Sequence, residues 1–127
     1  MLKHGELSKK IIAAAYEVHK ELGYGFVEKV YKNALAIELQ ESDIKCNVEV
    51  PLQVLYHEQV VGDYFADIVV DDKIVVEVKA VSDISAAHEV QLVNYLKATK
   101  LNVGLLINFG QSVKVKRRIL GYDADTD

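Results

Sequence analysis

Cysteine, proline and long hydrophobic runs are scarce in this chain, and each scarcity excludes a class of protein. Cys46 is the one cysteine among 127 residues, so an internal disulfide framework is excluded and a reducing, cytoplasmic setting fits best. One cysteine and four scattered histidines argue against a structural zinc site. The longest apolar runs are about six residues, too short for a membrane span, and the N-terminus lacks the apolar stretch of a signal peptide.

Charge is unevenly distributed along the chain. The net charge of −4 argues against a protein that coats nucleic acid nonspecifically, although a local cluster of acids would contribute to it. The one dense basic cluster, KVKRR, supplies Lys114, Lys116, Arg117 and Arg118. It has two interpretations, an edge strand that carries lysines to prevent aggregation or a patch that contacts phosphates.

The chain is long enough for one domain with its own core, because half of its residues are hydrophobic. We expect a single domain over residues 1–127, ordered at about 8–120, with a flexible acidic tail at 123–127. Apolar periodicity predicts helices at 7–23, 27–42 and 82–100, with Ser8 as the first N-cap and Ser82 or Asp83 as the third. Alternating β-formers predict strands at 46–56, 64–70, 74–80, 102–110 and 112–120, with a turn region at 57–63 and Pro51 at a sheet edge or bulge.

The predicted order of elements is ααβββαββ, which indicates an α/β or α+β fold around a mixed sheet. The strand–helix–strand unit at 74–108 should be a right-handed crossover with two parallel strands.

Three charged residues interrupt two aliphatic strands, Asp67 in the first and Glu77 and Lys79 in the second. A buried charge is costly unless it is paired, hydrated or bound to a metal. Side chains alternate along a strand, so Asp67 should share a face with Phe65 and Val69.

The hairpin loop decides whether the two acids meet. A three-residue loop at 71–73 pairs Val70 with Ile74 and sets Asp67 opposite Glu77. A two-residue loop would place the acids on opposite faces. We therefore expect a loop of odd length.

Two carboxylates held close together repel each other and raise each other's pKa unless a cation lies between them. Their oxygens suit Mg²⁺ or Mn²⁺, and Lys79 beside such an ion could hold a phosphate or orient a water. The alternative is a cross-strand Asp–Lys or Glu–Lys ion pair on a solvated face. Alternation alone leaves both interpretations open.

The spacing of these charges resembles a known signature. Asp67 followed by Glu77, Val78 and Lys79 is similar to the D…(D/E)-x-K pattern of the PD-(D/E)XK nuclease superfamily, although Ala66 precedes the first acid where proline is usual.

Two further segments strengthen the resemblance. GFVEKVY at 25–31 matches G-x-x-E-x-x-Y, the motif of the small prokaryotic GxxExxY proteins. QLVNY at 91–95 matches the Q-x-x-x-Y motif that follows the active strand in RecB-like nucleases. The resemblance covers roughly residues 8–120, with the motifs in the family order.

The resemblance implies a restriction-endonuclease-like core, a mixed sheet flanked by helices with the active site where two central strands diverge. Asp67, Glu77 and the backbone carbonyl of Val78 would bind Mg or Mn. Lys79 would position or activate the water, and Glu28 would be a further metal or water ligand.

The second and third helices carry the remaining candidates. Gln91 and Tyr95, one helical turn apart, would hold a phosphate or support Lys79. Taken alone, they are an amphipathic face, and Glu28 alone is an exposed first-turn acid favoured by the helix dipole. Tyr31 is expected in the core.

The resemblance implies a metal-dependent nuclease that acts on nucleic acid, with DNA favoured over RNA. The alternative is a nuclease fold kept as a binding or assembly module without cleavage. No membrane association is expected. Because the chain has few cationic residues to grip a duplex, a homodimer or a partner protein is a further expectation.

Overall fold

The computed structural model describes residues 3–121, which form three helices and five strands in the order ααβββαββ. The bounds are α1 Gly5–Leu22, α2 Glu28–Glu41, β1 Cys46–Tyr56, β2 Gln59–Val70, β3 Ile74–Lys79, α3 Ala86–Thr99, β4 Val103–Phe109 and β5 Val113–Ile119. The predicted fold class is confirmed. The predicted tail at 123–127 lies outside the described residues.

The strands form one mixed sheet in the order β1-β2-β3-β4-β5. β3 and β4 run parallel and are joined through α3, whereas the other neighbours are antiparallel. All seven residues of β4 are buried, as its continuous apolar run predicts for a strand covered on both faces. β1 and β5 form the edges, which explains Pro51 in one and the alternating exposure of the other.

Helices cover both faces of the sheet and make two cores. The first core lies under α1 and α2 and includes Ile11 and Tyr31, and the second lies under α3 and includes Leu92 and Leu96. β4 contributes alternate residues to the two cores, so the sheet separates them. None of the helices formed by residues 3–121 combines the length and apolar character that a membrane crossing needs.

The start of α1 differs from the prediction. The helix begins at Gly5 after His4, so Ser8 lies inside it and the N-cap prediction is wrong. Leu7 packs against the first core, which extends the buried face toward the N-terminus. Ser8 is buried at 4% exposure, and its hydroxyl has no hydrogen-bond partner among residues 3–121.

The start of α3 also differs. Its N-cap is Ser85, not Ser82 or Asp83. The Ser85 hydroxyl accepts the His88 N–H at 3.4 Å, and His88 Nδ1 accepts the Ser85 N–H at 3.1 Å. This reciprocal capping satisfies two backbone donors, so the helix begins at Ala86.

The β1–β2 hairpin is longer than predicted. Its turn is limited to His57 and Glu58, both with positive φ, and β2 already begins at Gln59. Gly62 and Asp63 are poor strand formers, which hid this extension in the sequence. Both residues nevertheless pair with β1, Gly62 with Val54 and Asp63 with Gln53, and this pairing overrides their preference.

Tyr31 holds the chain segment that precedes α2. Its hydroxyl donates to the Gly23 carbonyl at 2.7 Å and accepts the Phe26 N–H at 3.3 Å. Its ring stacks on Phe109 with centroids 4.6 Å apart. The loop is therefore tied to the core just before Glu28, and this sets where α2 starts.

Tyr31→Phe should leave the Gly23 carbonyl and the Phe26 N–H without this partner. We expect the free energy of unfolding, measured by urea denaturation, to fall by about 1–2 kcal/mol. Tyr16→Phe is the matched control because its ring is 54% exposed, and it should change stability by less than about 0.5 kcal/mol. Equal effects of the two variants would contradict the role given to the Tyr31 hydroxyl.

Candidate active site

The β2–β3 hairpin brings Asp67 and Glu77 together. Its three-residue turn pairs Val70 with Ile74, and the same register, continued along both strands, sets Asp67 opposite Glu77. The predicted odd-length loop is confirmed.

Backbone pairing gives way to side-chain hydrogen bonds at the two acids. The Asp67 N–H donates to Glu77 Oε2 at 2.8 Å, and the Val78 N–H donates to Asp67 Oδ2 at 2.8 Å. Each carboxylate thus takes the place of a backbone carbonyl and is held by the opposite strand. Each also keeps a second oxygen, Asp67 Oδ1 and Glu77 Oε1, that these bonds do not use.

Strict alternation is broken around Asp67. Ala66 and Val69 both pack in the second core, whereas Ile68 packs in the first. The prediction that Phe65, Asp67 and Val69 share one face is therefore wrong. Alternation assumes an undisturbed ladder, and the ladder is disturbed at this position.

The disturbance extends to β1. The β1–β2 pairs include Val48 with Ile68 and Val50 with Ala66, but skip Glu49 and Asp67 between them. Glu49 has a φ of 49°, the left-handed region that L residues adopt only with strain. This irregularity coincides with the Asp67 carboxylate reaching across to β3.

Burial dominates the electrostatics of the acid pair. Glu77 is 4% exposed. Burial and then the charge of Asp67 raise the pKa of Glu77 to about 8, against the opposing effects of the Asp67 N–H and Lys79. Burial also raises the pKa of Asp67, opposed by the Val78 N–H and by the charges of Lys32 and Lys79. The pair is therefore short of positive charge, which a divalent cation would supply.

Glu28 lies near the pair, at the first position of α2. Its side chain is exposed, yet its charge contributes to the raised pKa of Glu77. Within residues 3–121, no three His, Cys, Asp or Glu side chains form a group compact enough to hold a metal. The role of Glu28 as a metal or water ligand stays a prediction.

Tyr95 and Gln91 approach the pair from α3. Tyr95 is buried, and burial, then the charges of Glu77 and Asp67, raise the pKa of its hydroxyl. Gln91 Nε2 donates to the Tyr95 hydroxyl at 3.3 Å, so the two side chains act as one unit. The ring of Tyr64 on β2 lies 5.8 Å from that of Tyr95.

The basic residues of β5 divide into two groups. Arg117 donates to the backbone carbonyl of Lys3, and Arg118 pairs with Glu89 at 3.4 Å. Lys114 and Lys116 are exposed. The two arginines therefore make contacts within the protein, whereas the two lysines face solvent.

Register places the two exposed lysines in line with the site. Lys116 pairs with Leu106, which pairs with Glu77 on its other side. Lys114 and Lys79 flank Asn108 in the same way. Whether the two lysines of β5 contact phosphates stays a prediction.

Lys32 was missed by the sequence reasoning. It lies one helical turn after Glu28 on α2, and its charge opposes the raised pKa of Asp67. The signal was present, because residues four apart share a helix face and Glu28 had been singled out.

The donor set fits a hard divalent cation. The free oxygens of Asp67 and Glu77 and the carbonyl of Val78 are the ligands that Mg²⁺ and Mn²⁺ prefer, and water or substrate would complete the shell. The raised pKa of Glu77 indicates that the pair lacks a positive partner. The chemistry of the donors therefore agrees with a metal site.

A mixed sheet with helices on both faces, and with an acid pair and a lysine where two strands separate, defines the restriction-endonuclease-like class of fold. The chain belongs to the PD-(D/E)XK nuclease superfamily, whose family model matches residues 5–119.

A solved structure, the crystal structure of SSO0001, shares the fold with a TM-score of 0.57 and 20% sequence identity. The alignment covers 97% of this chain and 62% of that one, so this chain spans about three-fifths of its length. No match was found among curated proteins.

The raised pKa of Glu77 should make the metal-free protein less stable as the pH rises. An acid whose pKa is raised in the folded state binds more protons when the protein is folded. Glu77 therefore makes its full contribution to the free energy of unfolding below pH 4.5, and this contribution is lost as the pH rises through about 8. In EDTA we expect the free energy of unfolding to fall over this range, with a slope approaching ~1.4 kcal/mol per pH unit.

Urea denaturation of Glu77→Gln across the same range tests this dependence, because glutamine is neutral throughout. The variant should show a flatter profile. Glu58→Gln, at the exposed hairpin turn, should keep the wild-type slope. An unchanged slope in Glu77→Gln would contradict a buried, proton-binding Glu77.

Proposed function

We propose that this protein is a nuclease that hydrolyses phosphodiester bonds with Mg²⁺ or Mn²⁺. The observation that supports this most directly is the reciprocal hold of Asp67 and Glu77 by backbone N–H groups, with Lys79 following on the same strand. Membership of the superfamily supports nucleic acid as the substrate.

DNA is favoured over RNA because the segment 91–95 resembles the Q-x-x-x-Y motif of RecB-like nucleases. On the segment 25–31 we place the chain among the GxxExxY proteins. The lone Cys46 fits a cytoplasmic location.

The acid pair is preorganised to bind the ion. Asp67, Glu77 and the carbonyl of Val78 would hold it, and it would supply Lewis-acid activation of the phosphate and the water. Because backbone N–H groups already fix one oxygen of each carboxylate, the pair needs little rearrangement during the reaction.

Lys79 acts on the reacting groups. Its charge opposes the raised pKa of both Asp67 and Glu77, so the ammonium lies within electrostatic reach of the pair. From there it donates to the attacking water or to a phosphate oxygen and stabilises the negative charge that develops on the phosphoryl group. Glu28 contributes a carboxylate that orients water from the α2 side.

Gln91 and Tyr95 support the substrate side of the site. Their linked side chains hold a phosphate or keep Lys79 in place. Together with Tyr64 they line a groove of about 860 Å³ between α3 and the β1–β2 hairpin. We propose that nucleic acid reaches the pair along this groove, past Tyr95. Lys114 lines a second cavity, of about 580 Å³, at the ends of β3 and β4.

A second candidate function is supported by the β1–β2 hairpin. Its outer part exposes large apolar side chains, including Leu55, Tyr56, Val61 and Phe65. Exposed apolar clusters commonly mark interaction surfaces. A binding or assembly module that works as a homodimer or with a partner protein would use this hairpin and would have no need of cleavage.

Millimolar Mn²⁺ should raise the melting temperature by several degrees, because a ligand of the native state stabilises it. Asp67→Asn should abolish the rise, since it removes a charged oxygen from the pair. Thermal denaturation with and without Mn²⁺ measures this, with Asp63→Asn on the exposed part of β2 as the control. An equal rise in Asp67→Asn would mean that the ion binds elsewhere.

Glu77→Gln and Lys79→Ala should lose activity for different reasons. Glu77→Gln should lose both metal binding and nearly all cleavage. Lys79→Ala should bind Mn²⁺ with little change but cleave about 10²–10³ times more slowly, because a single preorganised charge is lost. Calorimetric Mn²⁺ titration and cleavage of labelled single- and double-stranded DNA and RNA separate the two.

Two outcomes would contradict the proposal. If the wild type binds Mn²⁺ but cleaves none of these substrates, alone or with co-purifying partners, the binding-module function is favoured. If Glu77→Gln cleaves as well as the wild type, the activity comes from a contaminant.

A further inference from the structure

Lys32 and Glu49 form a close ion pair beside the acid pair. Lys32 Nζ lies 2.6 Å from Glu49 Oε1. Lys32 comes from α2, one turn after Glu28, and Glu49 comes from β1, at the position the sheet register skips opposite Asp67. The signature residues of the superfamily include neither member of this pair.

The two partners are unequally held. The Lys32 side chain is 11% exposed, whereas that of Glu49 is 59% exposed. Glu49 also has a strained φ of 49°. An enclosed cation therefore meets a solvent-facing anion on a strained stretch of an edge strand, so the anion is the partner more easily displaced.

The ion pair lies beside Asp67. Glu49 is the β1 residue that the register skips opposite Asp67, and Lys32 Nζ contacts its carboxylate. Lys32 thus brings a cation to the site, while Glu49 adds a negative charge where a nucleic acid would bring its own.

We propose that Lys32 forms a phosphate-binding subsite on the α2 side of the acid pair, and that Glu49 is an internal anion which a phosphodiester of the substrate displaces. This inference rests on the proposed function, because the acid pair would act on the adjoining phosphodiester. Lys79 on β3 and Lys32 on α2 then flank the acids with one cation each.

A phosphodiester suits this position chemically. Its two non-bridging oxygens carry one negative charge and accept hydrogen bonds, as the Glu49 carboxylate does. Lysine is a compact point charge that accepts either anion without a fixed geometry. The exchange leaves Lys32 paired and releases Glu49 to solvent, so an unpaired buried charge is avoided.

The exchange of Glu49 for a phosphodiester predicts that two single substitutions change the affinity for nucleic acid in opposite directions. Fluorescence anisotropy in EDTA, with fluorescein-labelled single- and double-stranded oligonucleotides, reports binding without cleavage. Lys32→Met should weaken binding about tenfold, because a charge-assisted contact is lost. Lys32→Arg should keep most of the affinity, and Glu49→Gln should strengthen binding about threefold, because the competing anion is gone.

Two matched controls separate this exchange from a general change of charge. Lys10→Met removes an exposed lysine of α1, and Glu58→Gln removes an exposed acid of the same hairpin as Glu49. Both should change affinity by less than about twofold. The slope of log Kd against log salt should fall by about 0.7–0.9 in Lys32→Met, as expected for one lost phosphate contact, and stay constant in Lys10→Met.

A structural ion pair predicts a different result. In that case Lys32→Met and Glu49→Gln would both weaken binding or both leave it unchanged, in proportion to any lost stability in urea, and the proposal would be overturned. If Lys32→Met weakens binding and Glu49→Gln strengthens it, but the wild type cleaves nothing with Mn²⁺, the phosphate subsite is supported and the proposed nuclease activity is contradicted. If the wild type cleaves nucleic acid but the two substitutions do not change affinity in opposite directions, the subsite is rejected and the nuclease activity is not.

Discussion

The carboxylates of Asp67 and Glu77 each accept a backbone N–H from the opposite strand, and the site depends on these two reciprocal hydrogen bonds. Where β2 and β3 stop pairing through their backbones, two carboxylates accept the N–H groups that carbonyls would otherwise take. The ladder therefore opens without leaving buried donors unpaired. Only such an opening lets α2 on one face and α3 on the other reach the same two side chains.

Burial raises the pKa of the two acids at this break in the strand pairing. The same apolar cores that stabilise the sheet surround Glu77 and raise its pKa to about 8. The Asp67 N–H and the charge of Lys79 offset only part of that cost. Two acids held in this state destabilise the fold locally. If the pair binds a divalent cation, as proposed, the ion would offset this cost, and stability and metal affinity would be linked through the same two residues.

The parts of the fold that follow from local periodicity were predictable. The apolar run of β4 indicated a covered strand. The register of the β2–β3 hairpin was not fixed by the turn residues, because a loop of two or three residues was possible and the odd length was expected only because it lets Asp67 meet Glu77. Helix starts were less predictable, because capping at Ser85 depends on His88 folding back onto it. The extension of β2 past Gly62 could not be predicted either, because it depends on pairing with β1 and not on the strand propensity of the residues themselves.

The sequence by itself determined the order of elements and the charged residues that interrupt the strands, because these depend on neighbours in the chain. It narrowed the hairpin register to two choices, and the structure decided between them. Tertiary structure decided how the charges meet. The break in alternation at Asp67, the strained Glu49 and the approach of Lys32 all arise where β1, β2, β3 and α2 come together. The periodicity of the sequence does not predict these contacts, because they depend on which backbone donors remain unpaired once the sheet is assembled.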